Sequence, residues 1–226
     1  MQDHRLDWGR EARTGIGEAV LAEGKTLAQL DAIVRTTIEA DACLLVTRLP
    51  ESVATPLQSA FPHGFHYHPA SRTAVIGQSS VAQCSLNDVA IVAAGTSDLL
   101  VAHEACQTLR FYGHEPRIVA DVGVAGLWRL MEELDGIRQA SIVLAVAGME
   151  GALFSVLAGL VSAPVIAVPT SIGYGVGRDG RAALSSALAS CAPGIVTVNV
   201  DNGFGAAVAC VKMLRAGQPN DDRKLD

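Results

Sequence analysis

The run from Ile142 to Pro169 constrains the fold most, because Glu150 is the only charged residue among these 28 positions. By length alone such a run could span a membrane. Glycine and proline instead divide it into strand, helix and strand, at Gly148, Gly151, Gly159 and Pro164. A strand buried on both faces of a parallel sheet reads as a continuous apolar run. We therefore predict a doubly buried parallel sheet here and no membrane span.

Short apolar runs alternate with helical patterns from Asp88 onward. The predicted strands cover residues 88–95, 116–123, 141–147, 164–168 and 194–200, and the predicted helices cover 97–113, 127–137, 151–161, 180–190 and 205–217. Strands that alternate with helices of this length imply right-handed crossovers. The predicted fold class is therefore α/β, a three-layer α/β/α sandwich with a parallel sheet, in residues 86–217.

Residues 1–85 follow a different pattern, which predicts a small α+β accessory region. We expect a helix that begins after Thr26 as its N-cap, a strand over 43–48, and a hairpin or irregular arm over 65–77. The region is polar and short, so it gives little reason to expect a core of its own. The tail, residues 218–226, is predicted to fray.

Composition limits the partners and the compartment. The net charge of −6 predicts no basic surface for nucleic acid. Five cysteines without a C-x-x-C pair fit a reducing compartment and argue against a disulfide framework or a zinc site. The charged N-terminal stretch does not resemble a signal peptide, so we expect a cytoplasmic protein.

Polar, glycine-bearing segments follow all five predicted strands. They are "AGTSD" (94–98), "DVGVAG" (121–126), "AGMEGA" (147–152), "PTSIGYG" (169–175) and "NVDNGFG" (199–205). Because the carboxyl ends of parallel strands share one edge of the sheet, we expect these loops to form the ligand site.

The first loop places Gly95, Thr96 and Ser97 at a helix start, where free amides and the helix dipole favour a phosphate. The alternative is that Ser97 only caps the helix. Asp98 beside this cradle suggests a metal ligand, a proton carrier or a ribose contact. "PTSIGYG" suits a second phosphate or carboxylate, or is a plain structural loop.

Glu150 and Cys191 each have a structural and a catalytic interpretation. Glu150 either complements a helix dipole or, partly desolvated by its apolar surroundings, has a raised pKa suited to proton transfer. Cys191 is either a small core residue or a nucleophile that a ligand can reach at a helix end. The cluster His63, His66 and His68 has ligand chemistry for a metal, but no acidic residue or cysteine lies within it.

The motifs "GTSDL", "ADVGVAGLWRL", "VAGMEGALFSVLAGLV", "PVIAVPTSIGYG", "SCAPG" and "VNVDNGFGAA" together resemble the LarB family of nickel-pincer cofactor biosynthesis. The C-terminal part of that family is similar to PurE-type carboxyaminoimidazole ribonucleotide mutases. The resemblance implies carboxylation of ring carbon 5 of nicotinic acid adenine dinucleotide and hydrolysis of its phosphoanhydride. The products would be pyridinium-3,5-biscarboxylic acid mononucleotide and AMP.

The resemblance also implies roles for particular residues. Cys191 would add to the pyridinium, Glu150 would remove the proton after carboxylation, and Asp98 would be a further catalytic residue. CO₂ or bicarbonate would be the co-substrate, with Mg²⁺ held by Asp98 or Asp121 and no organic cofactor. The chain would form a homo-oligomer, from dimer to octamer. We expect the substrate along the loops, at Gly95, Thr96, Ser97, Asp121, Gly148, Met149, Gly151, Thr170, Ser171, Gly173, Tyr174, Gly175, Asp201, Asn202 and Gly203.

Four positions depart from the family pattern, which has Pro at Leu100 and Phe154, Glu at His103 and Gly at Asp179. The first two concern helix starts, and Asp179 lies near the presumed phosphate loop. "NVDNGFG" is predicted to line the pocket around Cys191. A PurE-like mutase and a non-catalytic nucleotide-binding module are the alternative functions. The mutase would need a catalytic histidine in the third loop, and "AGMEGA" has none.

Overall fold

The structure, a computed structural model, describes residues 4–77 and 86–217. The helices are α1 (Arg10–Thr14), α2 (Leu27–Glu39), α3 (Glu51–Ala60), α4 (Leu99–Phe111), α5 (Leu127–Ile137), α6 (Ala152–Ala158), α7 (Arg181–Leu188) and α8 (Gly203–Ala216). The strands are β1 (Ala19–Leu21), β2 (Leu44–Thr47), β3 (Phe65–His68), β4 (Thr73–Ile76), β5 (Leu86–Ala93), β6 (Glu115–Val119), β7 (Ile142–Ala147), β8 (Val165–Pro169) and β9 (Ile195–Thr197). The predicted boundary near residue 85, the predicted tail and Cys84 lie outside the described residues.

The predicted three-layer sandwich is confirmed in residues 86–217, the C-terminal unit. Its five strands are all parallel, in the order β6-β5-β7-β8-β9. Helices α4 and α8 pack on one face of this sheet, and α5, α6 and α7 pack on the other. The strand order changes direction between β5 and β7, which is where parallel sheets of this kind open a crevice for ligands.

The apolar run 142–169 forms β7, α6 and β8, as predicted, and every residue of both strands is buried. Its hydrophobicity therefore reflects a central position in the sheet. Within the two described ranges, no helix is long and apolar enough to cross a membrane.

Residues 4–77, the N-terminal unit, form a four-stranded sheet in the order β1-β2-β4-β3. Only β1 and β2 are parallel, and β3 and β4 form the predicted hairpin. Thr26 caps α2 as predicted, through a reciprocal capping box with Gln29. The unit has its own apolar core, including Leu30, Leu44 and Phe65. This core is larger than the polar composition of the region indicated, because its apolar residues are concentrated on one face of α2 and on the central strands.

Hydrogen bonds hold the N-terminal unit against α4 and α8. The hydroxyl of Tyr112 donates to the carbonyl of Gly17 at 3.4 Å, and Arg215 donates to the carbonyl of Gly15. Arg48, directly after β2, donates to the carbonyl of Asp201 at 2.6 Å. The N-terminal unit therefore adjoins the carboxyl edge of the parallel sheet, which we call the loop edge.

Candidate active site

Asp98 joins three of the loops at the loop edge. Its Oδ2 accepts a hydrogen bond from the amide of Gly95 at 2.9 Å, and its Oδ1 accepts one from the hydroxyl of Thr170 at 2.6 Å. The amide of Gly148 also stabilises this carboxylate. Because the three donors follow β5, β8 and β7, one buried side chain fixes the relative positions of three loops.

Burial raises the pKa of Asp98, which is only 4% exposed. The hydrogen bonds from Thr170, Gly95 and Gly148 lower that pKa and oppose part of the rise, while the nearby charge of Asp201 adds to it. A carboxyl group in this environment holds its proton at a higher pH than an exposed aspartate does, which is a property of groups that exchange protons in active sites.

The loop after β5 exposes two hydroxyl groups ahead of α4. Thr96 and Ser97 are both exposed, within a short 3₁₀ turn that ends at Asp98. Asp98, not Ser97, occupies the N-cap position of α4. The structure therefore does not support the interpretation of Ser97 as a helix cap, and it leaves both hydroxyls accessible where a phosphate is favoured.

Glu150 lies at the tip of a tightly supported loop after β7. Gly148 is buried where a side chain would collide with the carbonyl of Ile172, and the amide of Met149 donates to the same carbonyl at 2.8 Å. Met149 and Gly151 both have a positive φ, of 53° and 66°. Glu150 itself is exposed, so the predicted partial desolvation is absent in the single chain. Its apolar sequence neighbours are buried in the sheet and in α6 and do not cover the loop tip.

The loop after β8 is buried where it leaves the strand and exposed at its tip. Thr170 is fully buried, while Ser171 is exposed and its amide donates to Asp201 Oδ1 at 2.8 Å. Gly175 has a φ of 56°, and Tyr174 beside it is 76% exposed. The exposed tyrosine and serine lie on the accessible side of the loop.

Asp201 and Asn202 hold the loop after β9 in place. The amide of Asp201 donates to the carbonyl of Pro169 at 2.8 Å, and its φ of 55° turns the chain toward α8. Asn202 caps α8 by accepting from the amide of Gly205 at 2.8 Å. Gly203 is buried against the backbone of α4, where a side chain would collide. These contacts give all three predicted site residues a structural role.

Asp121, after β6, pairs with Arg129 through Oδ2 and Nη1 at 2.6 Å. Both carboxylate oxygens of Asp98 already accept hydrogen bonds. In the part of the chain that the structure describes, no group of three or more histidine, cysteine, aspartate or glutamate side chains could hold a metal ion. Both carboxylates therefore already have protein partners, and the Mg²⁺ site at Asp98 and Asp121 stays a prediction.

Cys191 is the one exposed cysteine of the four that the structure describes. It lies between the end of α7 and the start of β9, where the amide of Val165 donates to the carbonyl of Gly194 at 3.2 Å. In a parallel sheet that connection is on the amino edge, opposite the loops. The accessible thiol agrees with the prediction, but β9 separates it from "NVDNGFG". That segment does not line a pocket around Cys191 in the same chain.

The three histidines of "HGFHYH" do not form a metal cluster. His63 and His66 are exposed. His68 shares a hydrogen bond with Ser71 through Nδ1 and Oγ, at 2.9 Å, and its ring lies 6.3 Å from that of His103. His68 belongs to the contact between the N-terminal unit and α4.

Comparison with known proteins decides the family. A family model of the LarB/PurE-like N-terminal domain matches residues 1–78, and one of AIR carboxylase matches residues 88–226. An uncharacterised protein of Methanocaldococcus jannaschii is 36% identical over 210 residues, which cover 90% of this chain and 81% of that protein. The chain belongs to the LarB family.

A second relative connects the C-terminal unit of this LarB-family chain to PurE-type enzymes. The N5-carboxyaminoimidazole ribonucleotide mutase of the same organism is 34% identical over 142 residues, covering 61% of this chain and 85% of that protein. Together with the two matched domains, this supports an enzyme of the carboxylase or mutase type.

The structure shows where the four positions lie that were expected to depart from the LarB family pattern. Leu100 and Phe154 lie in the first turns of α4 and α6, as predicted, and Phe154 is fully buried. His103 contacts His68 of the N-terminal unit. Asp179 has a φ of 62°, a conformation that glycine adopts freely and aspartate at some cost.

Gly173 packs against the segment that leads to Asp179. It lies so close to the carbonyl of Gly177 that a side chain would collide. Asp179 lies just beyond, in the 3₁₀ segment Gly175–Gly180. Close packing therefore explains Gly173, and a positive φ of 56° explains Gly175, whose surroundings are open; neither glycine requires a ligand.

Sequence reasoning missed a buried charge, Glu104 of α4, which is 5% exposed. Burial raises its pKa, and Arg48, whose Nε is 4.0 Å from Oε1, opposes that rise. Glu104 also accepts from the amide of Phe204 at 3.2 Å. The available signal was a glutamate on the apolar face of a predicted helix, next to Val101 and Ala105. Arg48 gave no signal, because its partners are distant in sequence.

Proposed function

We propose that the chain carboxylates ring carbon 5 of nicotinic acid adenine dinucleotide, using CO₂ or bicarbonate, and hydrolyses the phosphoanhydride. The products are pyridinium-3,5-biscarboxylic acid mononucleotide and AMP. The observation that carries this proposal is the pairing, in one chain, of a LarB-type N-terminal domain with an AIR carboxylase domain. An accessible thiol and a third loop with glutamate in place of histidine agree with it.

The pyridinium ring is electron-poor, so its carbon 5 cannot attack CO₂ directly. Addition of the Cys191 thiolate para to the ring nitrogen forms a C–S bond and leaves a dihydropyridine, whose enamine carbon is nucleophilic. That carbon then forms a bond to CO₂. Cysteine suits this step because the thiolate is both a good nucleophile and a good leaving group.

A base completes the carboxylation by removing the proton from the new tetrahedral carbon. The electron pair of that C–H bond restores the aromatic ring as the C–S bond breaks and the thiolate leaves. The exposed carboxylate of Glu150 is the proposed base. Asp98 is buried and bonds to Gly148, in the loop that carries Glu150. It positions this loop and also accepts or returns protons.

The position of Cys191 adds a requirement to this mechanism. Glu150 follows β7 at the loop edge, whereas Cys191 lies at the amino edge of the same sheet. The thiol must therefore come from a second copy of the chain. Large apolar side chains are exposed at both places, among them Tyr174 and Val176 at the loop edge and Leu188 near Cys191. A homo-oligomer would cover them and would also desolvate Glu150.

The loops at the loop edge supply the groups that a dinucleotide needs. The exposed hydroxyls of Thr96 and Ser97 and the helix start behind them suit the phosphate of the nicotinate half. Ser171 lies on the neighbouring loop and suits the anhydride, where water adds to phosphorus and AMP leaves.

The decisive experiment incubates the purified chain with nicotinic acid adenine dinucleotide and ¹³C-bicarbonate in a buffer with Mg²⁺, and follows the products by mass spectrometry. We expect AMP and a mononucleotide that has gained one labelled carboxyl group. Cys191→Ser should form neither product, whereas Cys43→Ser, a half-buried cysteine of the N-terminal unit, should retain turnover. Wild-type protein that releases no AMP and incorporates no label would refute the proposal.

The second candidate is a PurE-like mutase, which the N5-carboxyaminoimidazole ribonucleotide mutase relative favours. Its weakness is the loop 147–152, which contains no histidine. The same preparation should be tested with N5-carboxyaminoimidazole ribonucleotide. Conversion of that compound, with no labelling of the dinucleotide, would favour the mutase. Binding of the dinucleotide without either conversion, unchanged in Cys191→Ser, would favour a nucleotide-binding module.

A further inference from the structure

A cleft of about 380 Å³ lies between the N-terminal unit and the loop edge. One wall comes from the N-terminal unit, at residues 22–25, Leu30, Arg48, Pro50, Val53 and residues 71–72, and the other comes from α4 and from the loops after β5, β8 and β9. Ser97 and Ser171, both proposed above as phosphate contacts, line it. The cleft is therefore continuous with the proposed site, and its volume is typical of pockets for small ligands.

The cleft contains cations that have no acidic partner among the described residues. Lys25 and Arg72 line it, and neither takes part in a salt bridge within those two ranges of the chain. Arg48 is already engaged, because it faces Glu23 at 3.3 Å and bonds to the carbonyl of Asp201. Glu23, Glu104 and Asp201 also line the cleft, so its lining has no net positive charge, and an anionic ligand is favoured locally, where Lys25 and Arg72 lie beside the two hydroxyl-bearing loops.

The backbone holds the two arginines at one end of the N-terminal sheet. Arg48 directly follows β2 and Arg72 directly precedes β4, and the amide of Leu49 donates to the carbonyl of Arg72 at 2.7 Å. Both arginines have a positive φ, of 52° and 50°, which costs a non-glycine residue about 1 kcal/mol or more. A turn geometry this costly at two cationic positions is typical of functional sites.

The apolar part of the lining, which we call the apolar wall, comes from both sides of the cleft and suits a planar ring. It is formed by the side chains of Leu30, Val53, Leu100, Val101 and Ile172. A ligand with a phosphate at the mouth of the cleft and a flat, weakly polar base inside would satisfy both parts of the lining.

We propose that this cleft binds the adenylate half of the dinucleotide, with Lys25 and Arg72 contacting its phosphate and the base lying against the apolar wall. The inference rests on the proposed function, since it assumes a dinucleotide substrate. The N-terminal unit then selects a dinucleotide over a mononucleotide. The mutase relative, whose match covers 61% of this chain, has a name that specifies a mononucleotide substrate.

The test is calorimetric titration of the full chain with AMP, and separately with nicotinic acid mononucleotide. Lys25→Gln/Arg72→Gln should weaken AMP binding at least tenfold and leave the mononucleotide unaffected. The matched control, Arg10→Gln/Lys212→Gln, removes two exposed cations that lie outside the cleft and should change neither affinity. Equal affinities for AMP in both double variants, or an equal loss for both ligands, would overturn the cleft assignment.

Two further measurements keep the outcomes separate. Thermal melting tests whether the double variant is folded. If it is not, the single variant Lys25→Gln, at an exposed position, is used instead and should weaken AMP binding about threefold. Turnover of nicotinic acid adenine dinucleotide is measured in parallel. AMP binding that depends on Arg72 without turnover would retain the cleft and refute the proposed function. Turnover with an unchanged KM in the double variant would retain the function and refute the cleft.

Discussion

The hydroxyl of Thr170 donates to Oδ1 of Asp98 at 2.6 Å, across the end of β7, which lies between β5 and β8, the strands that precede the two residues. Both side chains are buried, so neither can exchange this bond for one to water. The bond therefore contributes to the geometry of the loop edge as well as to stability.

Thr170→Val should remove this bond while keeping the shape of the side chain. Because it leaves one oxygen of a buried carboxylate without its donor, we expect a loss of about 1–3 kcal/mol in the free energy of unfolding. Urea denaturation measures this loss. Thr170→Ser keeps the hydroxyl and serves as the control. Equal stability of the valine variant and wild type would show that the bond contributes nothing.

Asp98 should also make stability depend on pH. Burial raises its pKa in the folded state above the ordinary value of 3.8, so the folded chain binds more protons than the unfolded chain as pH rises from that value to the raised pKa. The contribution of Asp98 to stability is therefore most favourable at low pH and declines across that window.

Asp98→Asn removes this titration. The free energy of unfolding of the variant, relative to wild type, should increase as pH rises through the same window and then become constant. Urea denaturation at several pH values between about 4 and 8 measures the difference. A difference that does not change with pH would contradict the assigned direction of the shift.

The fold of the C-terminal unit could be predicted because its strands are central. β7 and β8 are buried on both faces, so their sequences read as uninterrupted apolar runs. The strands at the two sides of the sheet were predicted too long. β6 ends at Val119 and β9 at Thr197, where polar residues and a positive φ, at Asp121 and Asp201, turn the chain.

The candidate site could be predicted only in part. The motifs placed Asp98 and Glu150 at the same edge because topology alone determines which loops meet. The structural roles of Asp201 and Asn202, and the partnership of Arg48 with Glu104, depend on contacts between residues far apart in the sequence. The exposure of Glu150 was mispredicted because apolar neighbours in sequence are not neighbours in space at a loop tip.

Mixing two inactive variants tests whether the site lies between copies of the chain. Cys191→Ser and Glu150→Gln should each lose at least a hundredfold in turnover, since each removes a group to which the proposed mechanism gives a role at the reacting ring. If the thiol and the carboxylate come from different copies, random mixing gives about a quarter of the sites both wild-type residues. Co-expression of the two variants should thus restore about a quarter of wild-type turnover.

The co-expressed preparation is compared with each variant expressed alone. Its oligomeric state is measured by light scattering. An oligomer that contains both variants and regains no activity would place the two residues in one copy, contrary to their positions on opposite edges of the sheet.

Asp179→Gly separates a conformational cost from a role in binding. With a φ of 62°, Asp179 occupies a backbone region in which glycine has no side-chain penalty. The penalty removed from the folded state is partly offset by the greater freedom of glycine in the unfolded chain, so we expect the free energy of unfolding to rise by no more than about 1 kcal/mol.

Asp179 is exposed and beyond the residues that line the cleft, so KM for the dinucleotide should be unchanged. Asp179→Asn keeps a side chain that tolerates this conformation and should behave like wild type in both measurements. A change in KM with both Gly and Asn would instead assign the carboxylate a contact with the substrate.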